Sequence, residues 1–404
     1  MKRFRLVTAR TMMGATFTAL ALVGCATKPV SSHPTGLRND WVDPDTGHRI
    51  VRLSRVPGES QSLYFHQNGF TRTGDKLVFE NNAPGATNRI YVYNFPTGEC
   101  ELLATNAGRV VLVAAKSRQV YHQKSNTLYA THLDTHVTKT VAQLPDRWRI
   151  SAVNADETLG AGGFLEGGPK IDTSGPKGSW FNKIFEAGRP MGIFTVNLVT
   201  GETNVIHRGT NWFNHFQFSP TDPTLLQFCH EGPWHKLDRI WQIRIDGSRL
   251  RLMHARTMDM EIAGHEFWSP DGQTVWFDLQ QPRGEKFILA GVDINTGQAT
   301  RYELERNQWS VHYNISWDGK LFAGDGGGPN MVAKAPDGKW IYLFTPQADG
   351  TLKAEKLVNM AQHDYELEPN VNFSPDGKWI VFRANFDGSA QVYAVQVAQA
   401  AGSR

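Results

Sequence analysis

Four stretches gather the side chains that do chemistry. FCHEGPWHKLDRIW delivers His230, Glu231, Gly232, Pro233, His235, Lys236, Asp238 and Arg239 between two apolar runs. GHEFWSPDG sets His265 and Glu266 immediately before a turn, and QWSVHYNISWDG sets His312 at the equivalent place one unit further on. YELEPNVNFSPDG then offers Glu368 and Asn370 before another such turn. Imidazole nitrogens with a carboxylate or amide oxygen suit a borderline-to-hard divalent ion such as Mn²⁺ or Ca²⁺. The plainer alternative is that these polar groups hydrogen-bond neighbouring structure, with Glu231 serving a loop and Arg239 a surface charge.

The elements that must position them are repetitive. An apolar residue, a Ser-Pro-Asp-Gly-like turn and a short β-rich run recur from Phe70, Phe218, Trp268, Ile315 and Phe373, with weaker copies near Val111 and Val153. An alternating strand with an Asp/Asn and a Thr-Gly or Asp-Gly turn recurs from Tyr91, Leu128, Phe194, Trp241, Leu289, Ile341 and Val392. Both series count seven. Units of roughly 40 to 60 residues built this way indicate an all-β fold, a single seven-bladed β-propeller. The chain ends after the third strand of the seventh unit, and HRIVRLSR (His48 to Arg55) alternates like the missing strand. That N-terminal strand is expected to pair with the last blade and close the ring, which removes free edges. Residues before each turn then lie on innermost strands, so His265, His312, Glu368 and Asn370 converge on the central channel. The third unit departs from the pattern: Gly162 to Pro190 replaces its hairpin and reads as a loop over one face of the ring.

Residues 1–24 hold Lys2, Arg3, Arg5 and Arg10, no acid, and an apolar run ending Leu22-Val23-Gly24-Cys25. This is expected to be a lipoprotein signal peptide, with lipid on Cys25, a tether over 25–40 and the propeller over 41–404. An uncleaved anchor helix is the alternative, but the run is shorter than the ~20 residues a span needs. The chain has 404 residues, of which 40% are hydrophobic and 20% charged, enough for a large core and too ordered a composition for a disordered or fibrous protein. Its 42 Lys and Arg fall to 38 without the leader, against 39 acids, so the mature body is near −1 and carries no nucleic-acid signature. The remaining cysteines, Cys100 and Cys229, read as two isolated buried thiols. The expected location is the periplasm or cell surface, on a bacterial membrane, with the outer membrane favoured by Ala26 and Thr27 after the cysteine. A closed ring implies a monomer.

Several of these stretches together resemble the oligogalacturonate lyases, seven-bladed propellers that depolymerise short pectin fragments. The resemblance runs from about Asp43 to Val397 and rests on DPDTGHRIVRLSR, YFHQNGFTRTGDKLVF, FCHEGPWHKLDRIW, GHEFWSPDG and the histidine of SVHYNIS. It implies that His265 is the base, that Arg239 contacts the acidic substrate and that His312 is a metal ligand. The family's other ligands lie in a Gln-x-x-His-x-His pattern before the last turn, where this chain has Tyr365, Glu368 and Asn370. Glu and Asn can still coordinate, with a preference for a harder cation such as Ca²⁺.

The chemistry so implied is β-elimination on a uronic acid, in which a metal and Arg239 stabilise the charge developing on the substrate carboxylate. His265 takes the C5 proton, and a 4,5-unsaturated uronide is released. His230, His235, Lys236 and His215 are further candidates for holding the anionic sugar. Two other readings stand beside this one: a lyase acting on a different uronate-containing glycan, and a non-catalytic envelope propeller that binds a partner. The last leaves HEGPWHKLDR unexplained. A peptidase reading lacks both a Gly-x-Ser-x-Gly elbow and a hydrolase domain.

Overall fold

Repetition in the turns becomes repetition in space. The computed structural model describes residues 38–83, 87–168, 170–175 and 177–400; the expected signal peptide and Cys25 lie outside them. The described chain forms seven antiparallel sheets. Six run in sequence order, over Glu59–Thr105, Arg109–Gln143, Trp148–Gly209, Trp212–Leu252, Ile262–Glu303 and Tyr313–Asn359; we number them blades 1 to 6. Blade 7 is composite. Its strands Asn372–Phe373, Trp379–Ala384 and Gln391–Gln399 are completed by His48–Arg52, with Asp40–Val42 added outside. Ile50 opposes Val395 and Val51 opposes Ala394, so the expected ring closure is present.

The Ser-Pro-Asp-Gly repeat has a mechanical basis. In blade 5 the Ser269 hydroxyl donates to Asp271 Oδ1 at 2.5 Å and accepts from the Thr274 backbone at 2.9 Å, while Gly272 takes φ 69°. Ser374, Asp376 and Gly377 repeat the arrangement in blade 7. Each such turn fixes the register of an innermost strand and its neighbour.

The core lies between blades. Blades 3 and 4 bury Ile193, Phe213, Phe216, Phe228 and Ile243 in one cluster, and the closing interface buries Leu53, Phe79, Val381 and Val392. Two expectations are refined. The third-unit insertion begins later than its sequence suggested, because Leu159–Leu165 pairs in full with Met191–Asn197 and only residues 166–190 leave the sheet. Those residues include a helix, Lys177–Glu186, rather than loop alone. Cys229 is buried, but Cys100 is half-buried, its thiol 3.0 Å from the Leu53 carbonyl; the two are not bonded to each other.

Candidate active site

Bulges in the innermost strands create the site. In blade 4 the pairing with Leu225–Glu231 slips between Asn214 and Gln217, and in blade 5 the pairing with Thr274–Gln280 slips between Gly264 and Phe267. His215 and His265 sit inside these slips with φ of 50° and 44°, and Asn370 before the first strand of blade 7 has φ 55°. L-residues seldom occupy this region. A bulge breaks the period of two and re-aims a side chain, and such strain persists where surrounding contacts over-determine it.

The structure brings His265 and His312 together, their ring centroids 4.4 Å apart. Each is held from behind by a buried carboxylate. His265 Nδ1 lies 2.9 Å from Asp278 Oδ1, and His312 Nδ1 lies 2.7 Å from Asp325 Oδ2. Asp325 also accepts the backbone N–H groups of His312 and Asn370. Burial pushes the Asp325 carboxyl up to about 7 and pushes the His312 imidazole well below its usual range. For His265 burial works in the same downward direction, but the Asp278 carboxylate outweighs it and the net shift is upward. His312 Nε2 is buried with no hydrogen-bond partner and stands 3.7 Å from Glu368 Oε2.

Arg239 is 1% exposed, which removes the surface-charge alternative. Its Nη1 donates to Glu231 Oε1 at 2.5 Å, and its guanidinium lies 4.2 Å over the Trp234 ring. Trp234 in turn donates to the same Glu231 oxygen and packs edge-on against His265, with centroids 5.1 Å apart. Burial would raise the Glu231 carboxyl, but the Arg239 charge overrides it and holds the group at about 2. Nε and Nη2 of Arg239 are buried without partners, two donors of the kind a carboxylate takes.

Asn370 reaches the site, yet its amide is engaged on both sides: Oδ1 accepts from the Phe65 backbone at 3.1 Å and Nδ2 donates to the Glu368 carbonyl at 3.0 Å. His215 stands between two carboxylates, Nδ1 3.3 Å from Glu266 and Nε2 4.0 Å from Glu231. His230 is placed elsewhere. Its ring stacks on Trp241 at 5.0 Å and borders Phe213 and Phe228, and burial lowers its pKa to about 4. His235 and Lys236 form the single turn Trp234–Lys236, where Lys236 is exposed. The residues missed in the sequence are Asp278 and Asp325 behind the histidines, and Tyr64 and His66. The Tyr64 ring packs against His66, His215 and His312 at 5.2, 5.7 and 5.3 Å. The available signal was position, since YFHQ precedes the turn of blade 1 as HEFW precedes that of blade 5. A cavity of about 590 Å³ occupies the turn-side end of the channel, lined by Asn68, Asn154, Gln217, Trp268 and Asn372, with none of the paired histidines in its wall.

Comparison with known proteins follows the same line. The sequence model of a family described as oligogalacturonate lyase matches residues 37–401. An oligogalacturonide lyase of Pectobacterium atrosepticum is 27% identical, over 88% of this chain and 95% of its own length. An oligogalacturonate lyase of Dickeya dadantii is 26% identical with the same coverage. Among solved structures, an oligogalacturonate lyase in complex with manganese superposes with a TM-score of 0.76 at 23% identity, covering 89% of this chain and 96% of its own. The oligogalacturonate lyase of Vibrio parahaemolyticus gives 0.75 at 24% identity, covering 89% and 97%. With a match spanning nearly the whole described ring, the chain belongs to the oligogalacturonate lyase family.

Proposed function

We propose that this chain cleaves oligogalacturonate by β-elimination with His265 as the base. The observation that carries this is the His265–Asp278 pair, buried beside His312, Trp234 and Arg239. A proton on C5 of a uronate lies next to a carboxylate and is weakly acidic, so its removal requires that developing charge be stabilised. Asp278 accepts the Nδ1–H of His265, which leaves Nε2 as the basic nitrogen. Glu231 and Trp234 orient Arg239, whose free Nε and Nη2 donors pair with the substrate carboxylate. His265 takes the C5 proton, the electron pair of that bond forms the C4–C5 double bond, and the C4–O bond breaks with its electron pair leaving on the oxygen, which takes up a proton from water to become the hydroxyl of the released sugar. The products are a 4,5-unsaturated uronide and the released sugar, with no covalent enzyme intermediate.

The residues fit a divalent cation, Mn²⁺ or Ca²⁺. His312 presents an unpartnered Nε2 lone pair beside Glu368 because its Nδ1 is tied to Asp325. His312 and Glu368 would hold the ion, with the second lone pair of Asn370 Oδ1 as a further donor. When bound, such a cation acts as a Lewis acid on the substrate carboxylate.

A second reading keeps the elimination and changes the polymer to another uronate-containing glycan. It is favoured by the replaced ligand positions: Tyr365 stands where the family pattern has Gln, and its hydroxyl donates to the Asp325 carbonyl at 3.0 Å. Both readings place the mature protein in the bacterial envelope as a monomer held by lipid on Cys25, supported by the leader pattern and the closed ring. Loss of membrane fractionation in Cys25→Ala would support the anchor.

The test of function is ultraviolet absorbance of the unsaturated product on oligogalacturonate, with and without EDTA and added Mn²⁺ or Ca²⁺, beside His265→Ala. A metal-dependent rise absent from the variant is expected. A flat trace on this substrate with a rise on another uronate glycan selects the second reading, and a flat trace on all of them leaves a binding propeller.

A further inference from the structure

The blade 3 insertion is a sequence feature that the proposed chemistry leaves unused. Its ends meet where the Glu166 backbone N–H donates to the Pro190 carbonyl at 2.9 Å, and its helix Lys177–Glu186 carries Trp180, Phe181 and Phe185. These rings pack toward blade 4. Phe181 lies 5.2 Å from Trp212 and Trp180 lies 6.5 Å from it, all three only half-buried. Phe185 seats against the HEGP segment: a Cβ on Gly232 would come within 2.7 Å of the Phe185 ring, and Gly232 holds φ 151°.

The position of this aromatic cluster relative to the reacting groups is fixed by strand register. Trp212 pairs directly with Glu231, the carboxylate that holds Arg239, and His215 follows three residues along the same strand. A line of contacts thus runs from His265 through Trp234, Arg239 and Glu231 to Trp212 and the insertion helix. Half-exposed aromatic rings on such a line match the apolar face of a galacto-configured sugar, where the hydrogens of C3, C4 and C5 lie on one side.

We propose that Trp212, Phe181 and Trp180 form a stacking subsite for a uronate unit beyond the two that flank the scissile bond. The inference rests on the lyase reading above, and its occupant is the remote ring of the same oligosaccharide. Digalacturonate ends at the scissile pair, whereas trigalacturonate has one ring more, so the subsite acts on the longer substrate alone.

The experiment compares di- and trigalacturonate on the wild type, Trp212→Ala and Phe181→Ala. One lost stacking contact is expected to raise KM for the trimer about tenfold, with kcat within about twofold and the dimer unchanged. Equal losses on dimer and trimer, or no change on either, would overturn the subsite. Because Trp212→Ala removes packing, Trp180→Ala on the helix surface serves as a second variant, and the same trimer-selective rise is expected of it at an unchanged melting temperature. The catalytic reading fails separately: a wild type that yields no unsaturated product from either substrate refutes the lyase. In that case, binding of trigalacturonate read by tryptophan fluorescence, lost in Phe181→Ala with both Trp180 and Trp212 still present as reporters, decides the subsite.

Discussion

Asp278 Oδ1 stands 2.9 Å from His265 Nδ1, across adjacent strands of blade 5, and both side chains are buried. The carboxylate fixes the imidazole tautomer and favours its charged form. Replacing Asp278 by Asn keeps the shape and removes the charge. We expect kcat to fall by about 10²-fold, within the range for a positioned general base. The pH profile distinguishes this from a merely structural loss. The proposed base must be neutral, so activity is expected to rise with pH through the His265 pKa, which is raised in the wild type. Without the carboxylate the acid limb should move to lower pH.

The Arg239–Glu231 pair makes a stability prediction. Glu231 titrates near 2 in the folded protein, below the usual carboxylate range, so its contribution is present above about pH 4.5 and is lost as pH falls toward 2. A shift of that size corresponds to stabilisation on the order of 3 kcal/mol. Glu231→Gln leaves a buried guanidinium without its counter-charge and should cost about 3 to 5 kcal/mol. Thermal melting across pH checks both: the variant should melt lower at pH 7 and lose less than the wild type on acidification.

Cation dependence should reside in His312 and Glu368. After EDTA treatment, Mn²⁺ titration followed by calorimetry should show one site in the wild type, weakened about 10- to 100-fold in Glu368→Gln and abolished in His312→Ala. Undiminished binding in both variants would move the ion elsewhere.

Gly232 faces Phe185 at a distance no side chain tolerates. Gly232→Ala is therefore expected to destabilise by about 1 to 3 kcal/mol and to expose the insertion helix to proteolysis. Adding Phe185→Ala should restore part of the protease resistance of the HEGP segment, because the new Cβ meets that ring at 2.7 Å and Leu237 Cδ1 at 2.6 Å. A double variant no better than the single would place the strain in the backbone, where Gly232 holds φ 151°, and against Leu237.

Ring closure is held by Ile50, fully buried and opposed to Val395. Ile50→Ala should cost about 2 to 5 kcal/mol in chemical denaturation. The loss should appear as one cooperative transition, since the strand joins the two ends of the chain.

The sequence by itself determined the architecture. Five serine-proline-aspartate-glycine-like turns each fix a local hydrogen-bond pattern within about five residues, so the repeat and its strand alternation needed no long-range information. The alternating segment at His48 was legible as the closing strand for the same reason. His265, His312 and Arg239 stood out because polar residues interrupt apolar runs there. What only the tertiary structure decided is which side chains face one another. Asp278 sits in TVWFDLQ and Asp325 in FAGDGG, unremarkable until folding sets each behind a histidine thirteen positions away. His230 was a candidate for holding the anionic sugar, but its strand keeps its pairing there and packs the ring among aromatics, whereas the bulge at His265 turns that ring toward His312. A period of two assigns faces along a regular strand; a bulge shifts that assignment, and its effect depends on contacts from other blades.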